Sequence, residues 1–237
     1  MKREVASLTK IMTVYTVLDL ARLYKLKLNQ TKITVCNIGS NVRGTTAKLK
    51  KGDILTAEQL LYGCMLPSGN DAAFVLAKYF GRLLFDKKGY DEKDMQRIRS
   101  YQFNYHPYFV KYFLKQMNDN AVALKLMNTF FDSPHGLMNP QNISTAYDMA
   151  RLSSHCMKIP LFRRIVSTKT YECRAVRGVT RALPQPARLP ARHAIPPPNN
   201  LTMAAASGSG TSSSYEESSE QSTSLEEKTE TVYVENE

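Results

Sequence analysis

From residue 7 to about 26, apolar side chains fall on nearly every side of a helical wheel: Ile11, Met12, Val14, Tyr15, Val17, Leu18, Leu20 and Ala21 leave no broad polar face. The pattern predicts a buried central helix. Residues 31–36 are rich in β-branched side chains and predict a short strand, and Lys51-Gly52-Asp53 predicts a turn. Thr56 and Gln59 form a capping box ahead of Leu60, Leu61 and Met65, so a second helix is expected from about Ala57, stopped by Pro67. Helical spacing resumes over 71–85, which leaves Ser68-Gly69-Asn70 on a loop between two helices.

Residues 86–105 are charged and aromatic without a clear period and read as an irregular insertion. Pro107 opens a long helix expected to reach about Phe131, with Phe109, Phe113, Met117, Val122, Leu124 and Met127 on its apolar side. Ser144 is the expected cap of a further helix containing Ala146, Met149, Ala150 and Leu152, which Pro160 should end. At Arg174 the composition changes to Arg, Ala and Pro, and then to Ser, Thr and Glu. Neither tract carries enough apolar surface to offset the entropy of ordering it. The expected organisation is therefore a folded, mostly helical unit over 1–173, a disordered Arg/Pro-rich linker over 174–200 and a disordered Ser/Glu-rich tail over 201–237.

The formal charge is +11, but the basic residues lie singly along polar faces rather than clustered with aromatic ones, which argues against nucleic acid as a partner. No stretch approaches the roughly twenty apolar residues of a bilayer span, and the first six residues are too short for a signal peptide. Cys36, Cys64, Cys156 and Cys173 have neither metal-ligand nor paired spacing and read as small core residues; no metal or other cofactor is implied. Asn29, Asn142 and Asn200 begin triplets that fit the glycosylation acceptor pattern, which carries weight only behind a secretory signal.

The candidate chemistry sits at the start of the buried helix. In Ser7-Leu8-Thr9-Lys10 a three-residue step returns to the same face, so the Lys10 amine and Ser7 hydroxyl are neighbours. A serine hydroxyl becomes a good nucleophile when a base takes its proton, and a lysine serves as that base once desolvation favours its neutral form. The helix N-terminus also favours the oxyanion formed on attack at a carbonyl. Ser68-Gly69-Asn70 supplies a second hydroxyl, able to relay a proton, and an amide able to hold both Lys10 and a substrate carbonyl. Each element has an ordinary structural reading too: a capping serine with a surface lysine, and plain loop chemistry.

Together the elements resemble a known family. Ala6-Ser7-Leu8-Thr9-Lys10-Ile11-Met12-Thr13 and Pro67-Ser68-Gly69-Asn70-Asp71-Ala72-Ala73 are similar to the low-molecular-mass D-alanyl-D-alanine carboxypeptidases, penicillin-binding proteins of peptidase family S11. Pro134-His135-Gly136-Leu137 and Ser144-Thr145-Ala146-Tyr147-Asp148-Met149-Ala150 resemble the same family in order, over residues 5–171. The resemblance implies an α/β fold of the β-lactamase and penicillin-binding-protein type, a helical cluster with an antiparallel sheet. It implies Ser7 as acylated nucleophile, Lys10 as general base, Ser68 as proton relay and Asn70 as the group that orients Lys10 and the substrate amide. The implied partners are a D-Ala-D-Ala peptide or a β-lactam, and the implied compartment is extracytoplasmic.

The family's third element, Lys-Thr-Gly on a strand that binds the substrate carboxylate, does not occur; Lys169-Thr170-Tyr171 ends in tyrosine instead. Relative to the family pattern the chain reads as truncated at both ends. It is therefore expected to be predominantly α, to expose an apolar face of the nucleophile helix, and to have little or no peptidase activity. The alternative reading is a non-catalytic remnant or binding protein from an incomplete gene.

Overall fold

Thr56 opens the second helix as its spacing predicts. Its hydroxyl accepts from the Gln59 amide at 3.2 Å, and the Gln59 side chain accepts from the Thr56 amide at 2.7 Å, satisfying two orphan donors of the first turn. The computed structural model describes residues 1–88, 106–137, 140–177 and 228–235. They belong to one compact unit, residues 1–178 with 227–237; the second unit, 179–226, lies outside the described residues, as do most of the expected linker and tail and the insertion from residue 89 on.

The helices are α1 (Thr9–Leu23), α2 (Ala57–Met65), α3 (Asn70–Lys88), α4 (His106–Ala123), α5 (Ala146–Cys156) and α6 (Pro160–Val166). Helix α1 packs against α2, α3, α4 and α5, and Met12, Val14, Val17 and Leu20 are fully buried. Its apolar wheel is thus covered from several sides at once, and of its large apolar residues only Leu23, at its end, is exposed. The expected bare apolar face is not there, because α1 is packed on by four other helices.

Both α1 and α4 end in the same device. Lys25 and Lys125 adopt left-handed φ of 53° and 57°, and the amides of Leu26 and Leu126 reach back to the carbonyls of Ala21 and Ala121 at 2.8 and 2.9 Å. Lysine holds the position glycine usually takes, so α4 stops at Ala123, short of the expected Phe131. At α5 the cap is Thr145, whose hydroxyl accepts from the Asp148 amide at 3.1 Å, while the Ser144 hydroxyl is committed to Thr129 at 2.7 Å. Pro160 does not end α5; it occupies the first turn of α6, where its missing N–H costs nothing.

Two antiparallel sheets complete the unit. Strand β1 (Arg3–Glu4) pairs with β4 (Ile143–Ser144), Arg3 opposite Ser144, and so ties the segment before Ser7 to residues after the 132–137 loop. The other sheet has the order β2 (Lys32–Thr34), β3 (Asp53–Thr56), β5 (Thr170–Arg177), β6 (Lys228–Glu235). Strand β5 runs past the boundary expected at Cys173, and residues 228–235 of the expected tail pair along its whole length, from Arg177 opposite Lys228 to Thr170 opposite Glu235. The β-branched and aromatic residues Thr229, Thr231, Val232, Tyr233 and Val234 suit a strand despite the polar composition around them. The four cysteines are free, and all but half-buried Cys36 are buried. Among the described residues no helix is long and apolar enough to cross a membrane.

Two substitutions test this packing. Thr56→Ala should cost about 1 kcal/mol of unfolding free energy in a denaturant titration, and Phe113→Ala, at a side chain with no exposure, about 3–5 kcal/mol.

Candidate active site

Ser7 sits on a single 3₁₀ turn, Ala6–Leu8, that leads into α1. The residue before it, Ala6, has φ 41°, a left-handed conformation that alanine rarely adopts, and the turn leaves the Ser7 side chain exposed at the protein surface. One turn on, Lys10 is only 2% exposed, and its amine donates to the Ser7 hydroxyl at 3.0 Å. The amine also donates to the backbone carbonyl of His135 at 3.1 Å. Burial pushes the Lys10 amine below the ordinary lysine range, while Cys64 and Asp71 act in the opposite sense. Cys64 is itself pushed up to about 12 by burial and is a neutral thiol near neutral pH. A buried amine shifted toward its neutral form, in hydrogen-bond reach of an exposed hydroxyl, can take that hydroxyl's proton.

The loop 132–137 is the second wall. Asn142 is fully buried; its side-chain oxygen accepts from the amides of Asp132 and Ser133 at 2.7 and 3.1 Å, and its nitrogen donates to the Ser133 hydroxyl at 2.6 Å. The same hydroxyl accepts from the Gly136 amide at 2.9 Å. The loop therefore holds its shape before any substrate arrives and presents two carbonyls to α1: Pro134 to the Thr13 hydroxyl at 2.6 Å and His135 to Lys10. Gly136 is required where it stands, since its φ is 77° and a Cβ there would overlap the Ala6 carbonyl beside Ser7. Its methylene faces Thr9, whose hydroxyl is the buried side-chain polar atom without a hydrogen-bond partner among the described residues. With its side chain committed to the loop, Asn142 does not offer the free amide that its Asn-Ile-Ser triplet would need for glycosylation.

Ser68 and Asn70 form the third wall. Ser68 is half-buried with φ 54°, a second non-glycine residue held left-handed at the site. Asn70 is the first residue of α3 and 2% exposed; its backbone amide donates to the Thr45 carbonyl and its side-chain amide to the Arg43 carbonyl, both at 2.8 Å. The Thr45 hydroxyl donates to the Ser68 carbonyl at 2.7 Å. The second and third walls meet at Gly44: a Cβ there would lie 2.6 Å from the Asn70 side-chain nitrogen and 3.3 Å from Leu137, and the Leu137 amide donates to the His135 ring at 3.1 Å.

Of the four expected residues, Ser7 and Lys10 are in direct contact, while Ser68 and Asn70 are bound to Thr45 and Arg43. Lys10 is held by Ser7 and His135, and no bond to Asn70 occurs among the described hydrogen bonds; the expected orienting contact is made by a backbone carbonyl instead. That carbonyl, the left-handed Gly136 and the 43–46 segment were not assigned a role from the sequence. The Pro134-His135-Gly136-Leu137 block did mark the place.

The site thus holds an exposed serine hydrogen-bonded to a buried lysine at the head of a central helix. The family model described as D-alanyl-D-alanine carboxypeptidase matches residues 1–82 and 109–185, and the chain belongs to that family. The D-alanyl-D-alanine carboxypeptidase of Streptomyces sp. (strain K15) is 36% identical over 179 residues, 74% of this chain and 53% of the relative. DacF of Bacillus subtilis (strain 168), also a D-alanyl-D-alanine carboxypeptidase, is 29% identical over 70% of this chain and 36% of its own length. The crystal structure of the Streptomyces K15 DD-transpeptidase superposes with a TM-score of 0.61 at 36% identity, over 75% of this chain and 60% of that one. The chain thus spans about half the length of the Streptomyces relative and about a third of the Bacillus one. The expected fold, a helical cluster with small antiparallel sheets and helix dominant, is the fold found.

His135 supplies a check on the loop. Burial, and then the Lys10 charge, lower its pKa from 6.5 to about 4, so the folded state favours the neutral ring. The corresponding stability is complete above about pH 6.5 and is lost as pH falls toward 4. Thermal melts should show this loss, and His135→Asn, which keeps an acceptor for the Leu137 amide, should lose less over the same window. Gly136→Ala should destabilise the fold at every pH, through the left-handed backbone and the collision with Ala6.

Proposed function

We propose that this chain forms an acyl-enzyme on Ser7 with D-alanyl-D-alanine-type substrates, Lys10 acting as the base. The Ser7 hydroxyl passes its proton to the Lys10 amine as its oxygen attacks the carbonyl of the penultimate D-alanine. The C–N bond then breaks, and the leaving nitrogen takes a proton relayed through Ser68 from Lys10. Asn70 holds the substrate amide, and water hydrolyses the ester. A β-lactam would acylate the same oxygen, its strained ring lowering the demand on substrate positioning. The observation that carries this reading is the 3.0 Å bond between a nearly fully buried lysine and an exposed serine.

Peptide turnover should be weak in this form. No Lys-Thr-Gly occurs in its 237 residues. Lys169-Thr170-Tyr171 does not stand in for it, since the Tyr171 ring stacks on Tyr62 at 3.8 Å, a packing role. Lost transition-state donors of this kind typically cost about two to three decades in turnover. The second reading, a non-catalytic remnant or binding protein, rests on that same missing element.

Incubation with a fluorescent penicillin separates them. A stable adduct should form on the peptide that contains Ser7, vanish in Ser7→Ala, and form about a hundredfold or more slowly in Lys10→Ala. Labelling should quicken as pH rises and Lys10 loses its proton. Folded protein that takes no label on Ser7 would establish the non-catalytic reading instead.

A further inference from the structure

Asp71 is the fully buried carboxylate next to Asn70, and its surroundings are built for it. One oxygen accepts from the backbone amides of Ala47 and Ala72, both at 2.9 Å. The other accepts from the Thr46 hydroxyl at 2.6 Å and the Leu49 amide at 3.1 Å. Three of these donors come from the 46–49 segment and the fourth from the first turn of α3, so one side chain joins two stretches far apart in sequence. That segment continues into the residues that grip the Ser68 loop: Thr45 binds the Ser68 carbonyl and the Asn70 amide, and Arg43 binds the Asn70 side chain. Gly69, between them, has no room for a side chain, since a Cβ on it would lie 2.8 Å from an Asp71 oxygen and 3.0 Å from the Ala47 amide nitrogen.

We propose that Asp71 is a positioning residue of the Ser7 centre: its carboxylate clamps the 46–49 segment to the head of α3, fixing the Ser68 loop, and places a buried negative charge behind Lys10. A cap bonded only to its own helix would hold α3 alone; here most of the donors belong to the other wall of the site. The charge has a separate effect. The titratable groups facing Lys10 are Cys64 from α2, Asp71 from α3 and His135 from the 132–137 loop. Cys64 and His135 are held neutral near neutral pH, and Asp71 acts to keep the Lys10 proton on, against burial. Asp71 thus limits how far burial shifts the base. This inference rests on the acylation reading only for its kinetic consequence; the effect on Lys10 exists whether or not Ser7 reacts.

The test titrates the Lys10 side-chain methylene in lysine-labelled protein by NMR, together with penicillin labelling against pH, in the native chain, Asp71→Asn and Thr46→Val. In Asp71→Asn the Lys10 midpoint should move to lower pH and the labelling profile should move with it, while the plateau rate falls about tenfold or more. Thr46→Val removes one donor and keeps the charge, so it should leave the midpoint in place and slow labelling. A folded Asp71→Asn with the native midpoint overturns the proposal. If the native chain takes no label yet the midpoint still moves, the acylation reading fails and the role of Asp71 stands. Should Asp71→Asn not fold, amide exchange in Thr46→Val decides: at least tenfold faster exchange at Gly69 and Asn70 supports the clamp, and native exchange there overturns it.

Discussion

The structure turns on one constraint, a lysine amine kept inside a protein at hydrogen-bond distance from a hydroxyl that faces solvent. Burying a charge is costly, and the ordinary resolution is for the group to shift toward its neutral form. Here that resolution is what the proposed acylation needs. The wheel of apolar residues on α1, covered by α2, α3, α4 and α5, supplies the burial. The His135 carbonyl gives the amine a second partner, and the 3₁₀ turn at Ala6–Leu8 turns Ser7 outward while leaving it one turn from Lys10.

Positioning is distributed among backbone groups fixed by buried polar side chains. Asn142 shapes the loop that carries Pro134 and His135, and Asp71 does the same for the 46–49 segment, which continues into Thr45 and Arg43 beside the Ser68 loop. Strand β1 pairs with β4 close to Asn142, and the Val5 amide donates to the Asn142 carbonyl at 3.2 Å, so the chain entering the Ser7 turn is tied to the loop facing it. Left-handed conformations at Ala6 and Ser68 persist where the surrounding ties hold the backbone. The wall that would carry a Lys-Thr-Gly is a different matter. The described sheet offers Lys169-Thr170-Tyr171 only as the entry to β5, with its tyrosine spent on stacking.

Much of this was legible in the sequence where local rules decide. The capping box at Thr56, the stop at Pro67 and the buried wheel of α1 each follow from a few neighbouring residues, and Ser7 and Lys10 meet because a helix repeats at that spacing. The misses share a cause: long-range context chose between local options. Lys25 and Lys125 end helices in a conformation their type does not advertise, and Ser144 gave up its capping role because Thr129 was within reach. The His135 carbonyl could not be read at all, since every residue has one and only the fold says which carbonyl faces an amine. Asp71 was visible as an acid in a first helical turn, yet three of its four donors lie over twenty residues away. Strand β6 was hidden by the composition around it.

The central claim is that the Lys10 amine gives up its proton more readily than an ordinary lysine, and its own titration in the native protein tests that most directly. The midpoint should lie clearly below the ordinary lysine value. A midpoint at the ordinary value would contradict the account, because an amine that stays charged cannot take the proton of Ser7.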